Sequence, residues 1–145
     1  MRIDEDLAIP LEQSRIFGYN RDMISSDEFE RIVVDAIDAL PADFREKLDN
    51  VDVTIEPWPD AHALRRAGVQ RPGNLLGLYQ GVPQTRRTHR YGLVLPDKIT
   101  LYRGPIMMRC CTDDEVQRMV EHVLRHEIAH HFGIDDNHLR HIGAY

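Results

Sequence analysis

His126, Glu127 and His130 fall on the apolar stripe of the strongest helix signal in the chain, and that placement constrains the fold more than any other feature. Thr112-Asp-Asp-Glu115 has the form of a capping box, with Thr112 as N-cap and Glu115 at N3. The pattern predicts a helix from there to about Phe132, ended by Gly133, the residue that most readily takes a left-handed C-cap. At about 100° per residue, Met119, His130, Val123, Val116, Glu127 and Val120 follow His126 across roughly 120° of one face. Glu121, Arg125, Arg118 and His122 are read on the opposite, solvated side. A carboxylate on the inward stripe is costly without a partner.

The spacing suggests what that partner is. Residues four apart on a helix have Cβ atoms about 5–6 Å from each other. His126 and His130 can therefore converge on one ion at zinc–nitrogen distances of roughly 2.0–2.1 Å. Glu127 lies about 100° round the helix. It sits beside the ion rather than on it, where it can hold and deprotonate a water that in turn satisfies the carboxylate. This is the chemistry of the HExxH pattern. Gly133 can reverse the chain so that Asp136 returns as a third ligand, which extends the pattern to HExxHxxGxxD. Asp stands there where metzincin-type sites have His. Asp135 competes for the same role. Two His and one Asp leave a fourth position for water, the arrangement of a catalytic rather than a structural zinc. Of the remaining histidines, His131 points about 140° from His126 and cannot share its ion. His138 and His141 are read as surface positions on a terminal helix, ahead of a role in orienting a ligand.

Composition narrows the class. A chain of 145 residues suits one domain and can bury a core without disulfides or metal. Hydrophobic residues at 42% and charged residues at 29% fit a globular protein rather than a disordered one. A net charge of −6 argues against nucleic acid or an anionic membrane as partner. Apolar runs fall far short of the 18 or so residues of a membrane span, and the acidic start has no signal-peptide core. A soluble, cytoplasmic protein is expected. Adjacent Cys110 and Cys111 then read as small, partly buried, reduced side chains.

Residues 1–24 show no sustained apolar period and are read as an extension, which Ile16, Phe17 and Tyr19 could dock. A helix is expected to begin at Ser26 as N-cap and to bury Phe29, Ile32, Val33, Ala36, Ile37 and Leu40. Pro41 can open a second short helix through Phe44 and Leu48. Val51, Val53 and Ile55 alternate with polar residues as in a half-exposed strand, which Pro57-Trp58-Pro59 stops. Further expectations are a short helix over 61–68, strands over 75–80, 91–95 and 99–103, and a final short helix through Leu139 and Ile142. Residues 81–90 form a basic segment, read as a solvated loop in preference to a contact for an acidic partner. The order predicts a single α+β domain over 25–145, with a small sheet packed on helices and the metal site on the long C-terminal helix.

The sequence also resembles the small bacterial zincin-like metallopeptidases, or minimal zincins. The resemblance runs from Asp27 to about Gly143. It is carried by residues 29–40 with Pro41, Asp43-Phe44-Arg45, Leu48-Asp49-Asn50-Val51, Leu75-Leu76-Gly77-Leu78-Tyr79-Gln80-Gly81-Val82-Pro83, Tyr91-Gly92, the block from Leu95 to Pro105, and His126 to Gly133 with Asp136. It implies a compact α+β fold with a small mixed sheet over the metal-bearing helix, zinc on His126, His130 and Asp136, and Glu127 as the catalytic residue. Residues 1–24 precede the family's usual start, Gln84 stands where the family more often has an apolar residue, and no metzincin-like Met-turn follows the site. The expected activity is zinc-dependent hydrolysis of a peptide or protein substrate by an activated water, with Glu127 as general base. Tyr91, Tyr102 and Arg103 are unranked candidates to stabilise the oxyanion. A bound peptide could add to a sheet edge such as 75–80. The alternative is a non-catalytic zincin-like module that keeps the metal or the shape for recognition.

Overall fold

Two capping boxes set the ends of the longest helices. The computed structural model describes residues 24–81 and 96–133. Helix α1, Ser26–Ala39, is capped by Ser25 rather than Ser26. The Ser25 hydroxyl accepts from Glu28 N at 3.2 Å, and the Glu28 carboxylate accepts from Ser25 N at 2.9 Å. A capping box needs its acid three residues after the cap, and that spacing selects Ser25 from the pair. Leu40 is extended (φ −62°, ψ 144°), as the residue before a proline must tend to be. Pro41 is then the N-cap of α2, Ala42–Lys47, one position earlier than expected. Helix α5, Asp113–His131, has the Thr112/Glu115 box read from the sequence. Gly133 follows at φ +67°, the left-handed conformation that favours glycine.

The sheet is mixed, with order β1-β3-β2. Strand β1, Val51–Glu56, runs parallel to β3, Asp97–Tyr102, in the register Val51↔Asp97 to Glu56↔Tyr102. Strand β2, Gly77–Gln80, runs antiparallel to β3, with Tyr79 opposite Ile99. Central β3 buries Ile99, Thr100, Leu101 and Tyr102, a continuous run because both faces are covered. Ile99 and Leu101 join Phe29, Val33, Ala36, Val116, Val120, Val123, Leu124 and Ile128 in the main core. Tyr102 turns to the other face and packs with Ala63 and Leu75 beneath α3, Ala61–Ala67. Successive strand residues point to opposite faces, so one strand serves both layers. Between β1 and β3, the Thr54 and Thr100 hydroxyls hydrogen-bond at 3.2 Å.

The expected α+β class with a small mixed sheet is therefore the observed one. Three local expectations change. The strand expected over 75–80 is hydrogen-bonded as a strand only over Gly77–Gln80, after a single 3-10 turn at Pro72–Asn74. The strand expected over 99–103 starts earlier, at Asp97, and stops at Tyr102. Arg103 instead begins a short helix, α4 (Arg103–Met107), unforeseen because Gly104-Pro105 reads as a turn. Ile24, assigned above to the extension, is buried in the core at 7% exposure. Cys110 is buried and Cys111 exposed, and neither is in a disulfide. Among the described residues, no helix is long and apolar enough to cross a membrane. The strand expected over 91–95, the basic segment from 82 onward, the final helix, and the extension before Ile24 lie outside the described residues.

Candidate metal centre

Helix α5 packs along β2 and β3, and four of its seven buried residues, Val116, Val120, Val123 and Glu127, lie on the stripe predicted from the helical period, while Leu124, Ile128 and Ala129 widen the buried face beyond it. Glu127 is one of them, at 6% exposure. The His126 and His130 rings lie side by side with centroids 4.4 Å apart, tilted by 55°. His126 is half-buried and His130 is exposed at the last turn of the helix. The pair thus faces one direction from one helix face, with the carboxylate just inside it. Burial, and after it the neighbouring His130, pushes the His126 pKa below 6.5. The ring is thereby held neutral, the form in which imidazole donates to a metal.

One partner of the buried carboxylate is protein backbone. Tyr79 N donates to Glu127 Oε2 at 3.0 Å. Strand β2 thus supplies a donor to Glu127 that no spacing within the helix names. The geometry explains why. Tyr102 N donates to Leu76 O at 2.9 Å across the β2–β3 pair, and ladder bonds alternate along an antiparallel pair. Leu78 therefore continues the bonding to β3, whereas Tyr79 N turns away from β3 and reaches the helix. Charge-assisted bonds of this kind are among the stronger ones in proteins.

His122 is also corrected. At about 100° per residue it lies only some 40° from His126, on the side away from His130. Its ring centroid is 6.0 Å from that of His126 and it is half-buried, not solvated. Burial, followed by the Arg125 charge, lowers its pKa below 6.5. His131 points away from His126, as expected, and stacks on Tyr79 with centroids 4.0 Å apart and planes 14° from parallel. Its Nε2 is 3.6 Å from Asp97 Oδ2, which accepts from the Tyr79 hydroxyl at 2.9 Å. Neither Tyr79 nor Asp97 was singled out from the sequence for a role at the site. The available signal was Glu127 itself, since a buried carboxylate demands a donor.

Of the oxyanion candidates, Tyr102 is buried under α3, and burial with the nearby carboxylates of Glu56, Asp60 and Glu127 pushes its pKa up to about 12. Arg103 turns to the far end of β3, where its Nη1 donates to Ile24 O at 3.2 Å. Tyr91, Asp135, Asp136, His138 and His141 lie outside the described residues. Among the described residues, no three His, Cys, Asp or Glu side chains gather as a set able to hold a metal. The described part of the centre is a histidine pair and a buried carboxylate.

A family model of zincin-like metallopeptidases matches residues 48–144, which include the whole sheet and the metal-bearing helix. The chain belongs to the zincin-like metallopeptidase family. No curated protein matches it.

Proposed function

We propose that this protein is a zinc-dependent peptidase in which His126 and His130, joined by Asp136, hold the metal and Glu127 is the general base. The observation that carries the reading is the neighbouring placement of a histidine pair 4.4 Å apart and a carboxylate buried behind it. Two imidazoles and a carboxylate form a donor set suited to zinc. When bound, zinc would supply an acidified water and polarise the scissile carbonyl. Glu127 takes the proton of the attacking water as its oxygen bonds to the carbonyl carbon. It then passes that proton to the leaving nitrogen as the C–N bond breaks. One carboxylate oxygen, Oε2, is anchored on Tyr79 N, so the proton transfers fall to a group whose orientation is already set. Residues 25–145 form the working unit in this proposal, and the substrate is a peptide or protein.

Metal content by elemental analysis, paired with peptide-library cleavage by zinc-loaded protein, is the test. Wild type should hold one zinc per chain. His126→Ala should weaken binding by more than the roughly 10–100-fold that changes to groups supporting a ligand produce. Asp136→Ala should weaken it clearly more than Asp135→Ala, and the reverse order would reassign the third ligand. Zinc held at full stoichiometry without any cleavage in a broad screen would favour the recognition module over the peptidase.

A further inference from the structure

Tyr79 is held in three ways, two of them to the metal-bearing helix and one to strand β3. Its N–H reaches Glu127 Oε2 at 3.0 Å, its ring lies flat on His131 at 4.0 Å, and its hydroxyl donates to Asp97 Oδ2 at 2.9 Å. Asp97 is drawn in from both sides, since His131 Nε2 is 3.6 Å from the same carboxylate oxygen. Gly81 leaves the stack room: a Cβ there would lie 2.7 Å from His131 Cε1 and 3.3 Å from Tyr79 Cε1. The three elements joined in this way are β2, the first residue of β3 and the last turn of α5. His131 directly follows His130, and Glu127 lies one turn before it.

We infer that Tyr79 is the positioning residue for Glu127, and that the Tyr79–His131–Asp97 cluster is the clasp that holds β2 against the end of α5. The inference rests on the peptidase reading in giving Glu127 the role of base. A carboxylate on a helix can sample several rotamers. Anchoring Oε2 on a backbone N–H restricts it to one. The anchor is only as firm as the register of Tyr79 against α5. The stacked ring and the hydroxyl bond set that register, because they tie the same residue to the helix end and to the neighbouring strand.

The test is nuclear magnetic resonance of the full chain together with steady-state cleavage. In Glu127→Ala the Tyr79 amide should lose its acceptor, shift upfield and exchange at least about tenfold faster, as expected for loss of a bond to a charged group. Glu127→Gln should move the same resonance less. In Tyr79→Ala, exchange at residue 79 should rise while zinc stoichiometry is kept. Its kcat should fall by about tenfold to a hundredfold with KM little changed, the scale on which small misplacements act. Tyr79→Phe keeps the ring on His131 and should recover most of the loss. Two results would overturn the inference: a Tyr79 amide indifferent to both Glu127 variants, or a Tyr79→Ala protein that melts lower with kcat and residue-79 exchange unchanged. Wild-type protein that holds no zinc and cleaves nothing would sink the peptidase reading instead, and the amide response would still decide whether Tyr79 positions Glu127.

Discussion

The two halves of α5 satisfy their demands differently. The N-terminal half is a local structure: Thr112 and Glu115 cap each other's backbone, and Val116, Val120 and Val123 follow the helical period into the core. The C-terminal half continues the same buried stripe but places a carboxylate on it, and that carboxylate takes its bond from Tyr79, 48 residues earlier in the chain. One half therefore folds on rules contained within a few turns. The other also takes a bond from strand β2. A stripe that is apolar for three turns and acidic at the fourth marks the point where the helix stops serving the core alone.

Leu124→Ala should sharpen this contrast most. Leu124 is fully buried beside the valines, so its truncation should cost about 2–5 kcal/mol in denaturant titrations. The surviving folded fraction should still bind zinc. Zinc affinity falling in step with stability would mean the two halves are not separable.

Glu127→Gln is the counterpart in the other half. Hydrolysis of a library-selected peptide should drop by at least about 100-fold, with zinc retained. The amide still offers Tyr79 N an acceptor, but an uncharged one, so melting should fall slightly, by about 1 kcal/mol or less. A variant that cleaves at the wild-type rate would remove Glu127 from the mechanism.

Thr112→Ala removes the hydroxyl that accepts Glu115 N. The expected loss is about 1 kcal/mol, read as a lower denaturation midpoint, with zinc binding unchanged. A change in zinc affinity would show that fraying at one end of α5 reaches the other.

The smallest effect concerns pH. Burial lowers the pKa of His122 and of His126 below 6.5. The unfolded chain therefore binds protons that the folded chain refuses. Stability of the metal-free protein is fully present above about pH 6.5 and is lost as pH falls through the lowered values. Denaturant midpoints at pH 7.5, 6.0 and 5.0 should decline, and His122→Phe should flatten the decline. An unchanged slope in that variant would return His122 to the solvated role first assigned to it.

Much of this molecule was legible in its residues because the relevant physics is local. Capping boxes act over three residues, helical stripes over four, and strand alternation over two. Hence α5, β1, the histidine pair and the α+β class could be read in advance, and the family resemblance supplied the mixed sheet. Where two local solutions compete, as at Ser25 and Ser26, the position of Glu28 decides. The half-burial of His122 was also local, since its angle on the helix already placed it beside His126 and not opposite.

Other features are set by elements far apart in sequence. The order β1-β3-β2 places Asp97 beside the end of α5. The antiparallel register of β2 turns Tyr79 N toward the helix. No period or spacing within α5 names the donor to Glu127, because a buried charge states only that a partner must exist. Which group fills that need depends on which backbone the tertiary fold brings within about 3 Å, and here it is a strand edge.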